Sequence, residues 1–160
     1  MRRRGATAAQ LEALYRERFE HFTRVASAIC GDLDQGRDAV QTAFTIAVRE
    51  RRSFRGSGPL EAWVWRIVVN EARRLVKQPQ TVPLEQLGAV TANGQPADRP
   101  RIAAWVAALP ERQREALFLR YYADLEYRAI ADILGIEVGT VSATLSAAHK
   151  ALREKLEEVR

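Results

Sequence analysis

Glu126-Tyr-Arg-Ala-Ile-Ala-Asp-Ile-Leu-Gly-Ile-Glu-Val-Gly-Thr-Val-Ser-Ala-Thr-Leu-Ser-Ala-Ala-His-Lys150 is the stretch whose reading decides the fold. Ile130, Ile133 and Leu134 give a short helix one apolar face. Gly135 stops it, because a residue without a Cβ takes the left-handed C-terminal position at little cost. Val138, Val141, Leu145 and Ala148 then recur at helical spacing and define a second helix. Ala131 is small where two crossing helices approach closely. A helix, a tight Gly-containing turn and a second helix make the helix-turn-helix plan, whose second helix enters a DNA major groove. An αα-hairpin packed for stability alone shares much of this pattern; the joint placement of small residue, turn glycine and buried valine favours the DNA-binding plan.

Working back from this motif, Arg101 to Leu109 reads as a short helix stopped before Pro110. Pro110 to Tyr122 follows, burying Ala116, Leu117, Leu119 and either Phe118 or Tyr121 against the helix-turn-helix. Further upstream, Pro79 ends a helix, and Gln80 to Pro100 has no sustained period and carries Pro83, Pro96 and Pro100. Such a stretch is too long for an incidental loop and reads as a flexible linker. Fully extended, residues 79–100 would reach roughly 70 Å.

The N-terminal half begins with a helix from Ala8 to Ile29, marked by a stripe of Leu11, Leu14, Tyr15, Phe19, Phe22, Val25, Ala26 and Ile29. Gly31-Asp-Leu-Asp34 ends it, with Asp34 expected to cap the next helix. That helix, about Gln35 to Arg52, buries Val40, Phe44, Ala47 and Val48 and presents Asp38, Gln41, Thr42, Thr45 and Arg49 on its other face. Composition alone does not separate such a face from an ordinary solvated one. Phe54-Arg-Gly-Ser-Gly-Pro59 is turn-rich, and Pro59 suits the first position of a helix running to about Gln78. Leu60, Trp63, Val64, Ile67, Val68 and Leu75 fall on one side of it. Arg66, Asn70, Arg73 and Lys77 form a separate strip, with Trp63 at its border and Arg74 close by. A basic strip edged by an aromatic suits single-stranded nucleic acid, cations following phosphates and a ring stacking on unpaired bases. A surface helix with half-buried Trp63 and Trp65 fits the same pattern equally well. The expected architecture is all-α: three helices in residues 1–78, a linker over 79–100, and four helices in residues 101–160.

The charge is unevenly placed. Residues 1–78 hold 15 basic and 9 acidic side chains, 79–100 hold 1 and 2, and 101–160 hold 9 of each. A polyanionic partner is therefore expected at the N-terminal half, and the helix-turn-helix half is neutral. Charge or proline interrupts every apolar run, so no membrane insertion is expected. Met1-Arg-Arg-Arg4 looks like the start of a signal peptide, but the polar stretch from Thr7 to Glu12 is no hydrophobic region. The lone Cys30 has no partner for an internal disulfide and no metal-ligand spacing around it, which suits a reducing cytoplasm. His21 and His149 lack a nucleophile pattern, and no glycine-rich phosphate loop is present. Neither an enzyme, a metal site nor a cofactor is expected.

These residues carry a resemblance. Asp38-Ala-Val-Gln41, Phe54-Arg-Gly56 and Trp63-Val-Trp-Arg-Ile-Val-Val-Asn70 resemble the second conserved region of bacterial sigma factors. Leu109-Pro-Glu-Arg-Gln-Arg-Glu115 through Gly139-Thr-Val141 resembles their fourth. A two-region chain of this size is similar to the extracytoplasmic-function (ECF) group of the sigma-70 family. The resemblance implies a dissociable subunit that directs core RNA polymerase to promoter DNA and helps to melt it. It implies that Asp38, Gln41, Thr42, Thr45 and Arg49 dock on the polymerase clamp helices. Phe54, Arg55, Gly56, Ser57, Trp63, Arg66, Asn70, Arg73, Arg74 and Lys77 would bind the minus-ten element around a flipped base, whose unstacking costs a few kcal/mol. Glu137, Thr140, Ser142, Ala143, Ser146 and Lys150 would face the minus-thirty-five element, with the same domain meeting the polymerase flap. An anti-sigma factor is a further expected partner.

The departures are informative. The family usually places several Lys or Arg residues along the helix after Gly139-Thr-Val141, where this chain has Ser142, Ala143, Thr144, Ala147 and His149. Phosphate anchors and bidentate guanine readers are therefore missing there, although hydroxyls and the helix N-terminus remain. Thr42 stands where an acidic residue is common. Two alternatives stay open at this point: a stand-alone helix-turn-helix regulator, and a sigma-like protein whose neutral C-terminal domain makes only protein contacts.

Overall fold

The computed structural model describes residues 5–76 and 99–160, without the side chains of Arg99, Pro100 and Ala103. Lys77 and nearly all of the expected linker lie outside the described residues. The chain divides into two compact units, Met1–Thr81 and Val82–Arg160. Among the described residues the regular structure is entirely helical: α1 (Ala8–Cys30), α2 (Leu33–Arg49), a 3₁₀ turn (Arg51–Ser53) and α3 (Leu60–Val76), then α4 (Arg99–Ala107), α5 (Glu111–Tyr121), α6 (Tyr127–Leu134) and α7 (Val138–Val159).

In the first unit, α1 starts at a capping box. The Thr7 hydroxyl accepts from the Gln10 amide at 3.1 Å while the Thr7 amide donates to the Gln10 side chain at 2.9 Å, satisfying donors that no helical carbonyl can reach. Gly31 ends the helix at φ 79°. The next cap is Asp32 rather than the expected Asp34: its carboxylate accepts from the Gln35 amide at 3.1 Å. Asp34 sits in the first turn of α2, where its charge still suits the helix N-terminus. α1 and α2 cross closely at Gly36, where an added Cβ would stand 2.6 Å from the Ser27 amide nitrogen. Phe22, Phe44 and Trp65 meet between the three helices, with Phe22 4.3 Å from Trp65 and 5.4 Å from Phe44 between ring centroids. Phe22 is fully buried, and truncating such a ring costs about 3–5 kcal/mol.

Two expectations for this unit are corrected. α2 ends at Arg49, not Arg52, and Val48 is 40% exposed rather than core; Ala39 and Ala43 take the inward positions beside Val40 and Phe44. On α3 the buried face is Val64, Trp65, Val68, Val69 and Ala72, rotated from the expected stripe so that Trp65 is core and Trp63 lies at its edge. Glu61 makes this possible, because its carboxylate receives the Trp65 indole N–H at 3.4 Å and pairs with Arg18 at 2.8 Å.

In the second unit, α4 begins at Arg99, two residues before the expected start, and proline in the first turn of a helix loses no helical hydrogen bond. Leu119, Ile130, Leu145 and Val141 form the buried centre with Ala116 and Ala148. Phe118 is half-buried and Tyr121 is 61% exposed, so Phe118 is the residue turned towards the core. α6 stops at Gly135, φ 67°, and the Ile136 amide returns to the Ala131 carbonyl at 3.0 Å. α6 and α7 meet at 98°, within the range of helix-turn-helix pairs. Val138, expected in the apolar stripe, is the first residue of α7 and is 46% exposed. No single described helix is long and apolar enough to cross a membrane.

Candidate polymerase and nucleic-acid interfaces

Asp38, Gln41, Thr42, Thr45 and Arg49 are all exposed along one side of α2, opposite Val40, Ala43 and Ala47. The helix thus separates a packed face from a polar one, as its spacing requires. The Thr45 hydroxyl donates to the Gln41 carbonyl at 2.9 Å, which engages its proton within the helix and leaves only acceptor capacity outward.

A second surface spans the 3₁₀ turn, the loop after it and α3. The Phe54 ring packs 5.6 Å from that of Trp63, and both are half-buried. Arg55, Gly56 and Ser57 are exposed, and Gly56 bends the loop at φ 71°. Arg66 and Asn70 are exposed one turn apart on α3. Arg73 is half-buried, and Arg74 is ion-paired with Glu71 at 3.0 Å, which balances its charge locally. Trp63, Arg66 and Asn70 follow one another at spacings of three and four residues on α3, so a half-buried ring, a guanidinium and a carboxamide share one side of the helix. Sequence reasoning missed a brace behind this loop: Gly5 and Ala6 donate their amides to the carbonyls of Phe54 and Arg51 at 2.9 and 2.8 Å. Its signal was a glycine two residues before the capping Thr7.

The third surface lies on α7. Glu137, Thr140, Ser142, Ala143, Ser146 and Lys150 are exposed. Glu137 holds the N-cap position without a side-chain cap, so an acidic group stands where an incoming phosphate would meet the helix. Thr144 is half-buried, and its hydroxyl donates to the Thr140 carbonyl at 2.6 Å. His149 meets the Tyr121 hydroxyl across the α5–α7 junction. From Val138 to Ala148 the helix carries no cation.

The arginines of α5 do not compensate. Arg112 donates to the Leu134 carbonyl at 2.9 Å, Arg114 to Ala107 at 2.9 Å and Arg120 to Leu125 at 3.0 Å. Arg120 also lies 5.3 Å from the Tyr127 ring centroid. Each thus satisfies a carbonyl at a helix end or turn. Glu115 is 1% exposed, 4.0 Å from Arg112. In the first unit, burial, and secondarily Asp32, push the Cys30 thiol up to about 12. No group of three or more His, Cys, Asp or Glu among the described residues is arranged to hold a metal.

Comparison with known proteins shows the family of the chain. Residues 14–81 match the family Sigma-70 region 2, and residues 101–152 match Sigma-70, region 4. The ECF RNA polymerase sigma-E factor of Escherichia coli K12 is 31% identical over 161 residues, covering 88% of this chain and 83% of that protein. The RNA polymerase sigma-H factor of Pseudomonas aeruginosa PAO1 is 30% identical over 145 residues, with 79% and 75% covered. Among solved structures, CnrH in complex with the cytosolic domain of CnrY aligns with a TM-score of 0.73 at 21% identity, covering 96% of this chain and 91% of that one. The sigma factor RpoE in complex with the anti-sigma factor NepR, from Bartonella quintana, aligns at 0.72 and 22%, covering 93% and 99%. The two family matches and these relatives define a sigma-type transcription initiation factor, a protein of promoter recognition. The chain belongs to the sigma-70 family, in its ECF group.

Proposed function

We propose that residues 1–78 carry both polymerase docking and promoter melting, and that residues 101–160 contribute a weak upstream contact. Asp38, Gln41, Thr42, Thr45 and Arg49 meet the clamp helices of core RNA polymerase. Phe54, Arg55, Gly56 and Ser57 frame the pocket for an extruded minus-ten base, Trp63 offers its ring edge, and Arg66 and Asn70 bind the base or its backbone. Arg73, Arg74 and Lys77 follow the phosphates. The α7 face from Glu137 to Lys150 approaches the minus-thirty-five element, and its domain meets the polymerase flap. Residues 79–100 span between the two sites. The polymerase supplies the covalent chemistry, and this chain works in the bacterial cytoplasm.

The observation that carries the reading is the exposed Arg66–Asn70 pair beside the Phe54–Trp63 rings, on a chain that also holds a helix-turn-helix. The test is transcription reconstituted from core enzyme, this chain and a promoter library. Selection dominated by the minus-ten sequence supports the proposal, whereas no promoter-dependent transcript overturns it. A second reading concerns regulation: CnrH is seen in complex with the cytosolic domain of CnrY and the sigma factor RpoE in complex with the anti-sigma factor NepR, and an anti-sigma factor covering the α2 face would block clamp docking here.

A further inference from the structure

Phe54 is held from two directions. Its ring stands 5.6 Å from that of Trp63 on α3, and its carbonyl accepts the Gly5 amide at 2.9 Å. Three residues earlier, the Arg51 carbonyl accepts the Ala6 amide at 2.8 Å. Gly5 and Ala6 lie directly ahead of the Thr7 cap, so these two bonds tie the root of the capture loop to the start of α1. The same root is tied to the end of α2, where Arg51 donates to the Val48 carbonyl at 2.8 Å and the Ser53 hydroxyl to the Glu50 carbonyl at 2.7 Å. Beyond the root, Arg55 to Pro59 are exposed. The loop thus departs from a base joined to all three helices of its unit, and its tie to α1 runs through Gly5 and Ala6.

That tie calls for glycine at position 5. Gly5 stands at φ +102°, and an added Cβ would lie 3.2 Å from the Arg52 Cα and 3.3 Å from the Arg51 carbonyl oxygen. The conformation is one that side chains with a Cβ rarely adopt. The atoms in the way are backbone of the loop root itself, which cannot swing aside as the end of a side chain can. A side chain at position 5 therefore displaces the root or gives up the two bonds. Ala6 is 8% exposed, so the tie is packed as well as hydrogen-bonded.

Telling one base from another requires contacting groups held to within about 0.5 Å. A loop ordered before the base arrives also loses less conformational entropy on binding. We propose that Gly5 and Ala6 are positioning residues for minus-ten base selection: by fixing the Phe54 backbone, they set where the Phe54 ring and the Arg55–Ser57 segment stand relative to α3. The proposal rests on the capture role given above to the Phe54–Trp63 loop. Gly5 and Ala6 act through that loop and need no contact with DNA.

The experiment measures holoenzyme affinity for two fork-junction DNAs whose unpaired minus-ten strand is either the sequence selected from the promoter library or a scrambled one. The ratio of the two affinities is the readout, because a loss of folded protein lowers both alike. Gly5→Ala should lower the ratio by about tenfold, the size of one lost base contact, and Gly5→Val by at least as much, with core-polymerase affinity unchanged. Gly31→Ala is the control. Gly31 has φ +79° at the other end of α1, with nothing within 4 Å of an added Cβ, so its substitution strains the same unit without touching the loop and should keep the wild-type ratio. An unchanged ratio in both Gly5 variants overturns the proposal. An equal fall in Gly31→Ala also overturns it, since the effect would then be general destabilisation. A wild-type ratio of one sinks the capture-loop reading itself, whereas a wild-type preference that survives in the Gly5 variants sinks the positioning role alone.

Discussion

The Tyr121 hydroxyl and the His149 Nε2 lie 2.7 Å apart, with their rings edge-on at 5.7 Å. This contact ties the end of α5 to the helix proposed to approach DNA, and it places the one imidazole of α7 in a protein contact. Tyr121→Phe should lower the stability of the second unit by about 1 kcal/mol, the usual net worth of one such bond. Urea unfolding followed at Trp105 checks this; an unchanged midpoint would mean that the contact carries no net stability.

Clamp docking is tested on α2. Asp38→Ala with Gln41→Ala should weaken core-polymerase binding and leave the melting temperature unchanged, because both side chains lie on the exposed face and open no cavity. Equal affinity at equal melting temperature would make this face merely solvated.

Base capture is tested on α3. Arg66→Ala and Asn70→Ala should each preserve polymerase binding and reduce open-complex formation, with a lost base contact costing about 1–3 kcal/mol. Permanganate reactivity of promoter thymines reads the melting, and a pre-melted bubble template should partly rescue it. Equal failure on duplex and bubble DNA would remove the capture role.

The bare face of α7 predicts upstream duplex binding that is weak and nearly independent of salt, since each neutralised duplex phosphate would add a slope of about −0.9 and few cations are present. Ser142→Lys with Ser146→Arg should strengthen that binding and steepen its slope. Both positions are exposed, whereas Thr144 is half-buried and bonded to its own helix and would not serve. Nanomolar binding of an upstream duplex by residues 101–160 in physiological salt would refute this view of the helix.

Cys30 supplies a pH prediction. Its folded value, raised from 9.0 to about 12, means that the folded chain holds the thiol proton longer than the unfolded one. The associated stability is complete below pH 9 and is lost as pH rises towards 12. Alkylation at pH 8 should be slow in the folded protein and fast in urea, and Cys30→Ala should flatten the alkaline stability curve. Rapid alkylation of the folded protein would contradict the burial.

Much of this was legible from periodicity. The α6–Gly135–α7 unit, the α1 stripe and the polar face of α2 follow from residue spacing, because a helix with one packed side repeats its apolar positions every three or four residues. What escaped depends on single polar partners that spacing does not encode. The rotation of α3 that buries Trp65 rests on Glu61 receiving the indole N–H. Capping by Asp32 in place of Asp34 is a choice between two carboxylates two residues apart. Spacing set out the polar side of α2 and the strip on α3, and the resemblance alone attached roles to them; Asp38, Gln41, Arg66 and Asn70 are exposed, whereas Trp63 and Arg73 are half-buried. The Gly5–Phe54 brace joins residues 49 positions apart, beyond any local pattern.

The α5 arginines and the α7 face differ in how they can change over evolutionary time. Arg112, Arg114 and Arg120 each hold a carbonyl, so replacing one leaves a polar group in need of a partner. Ser142, Ala143, Ser146 and Ala147 project outward, where substitutions typically move stability by no more than about 0.5 kcal/mol. If the α7 face meets the minus-thirty-five element as proposed, new upstream specificities would lie a few nearly neutral surface steps away, while each α5 arginine is tied to the carbonyl it holds.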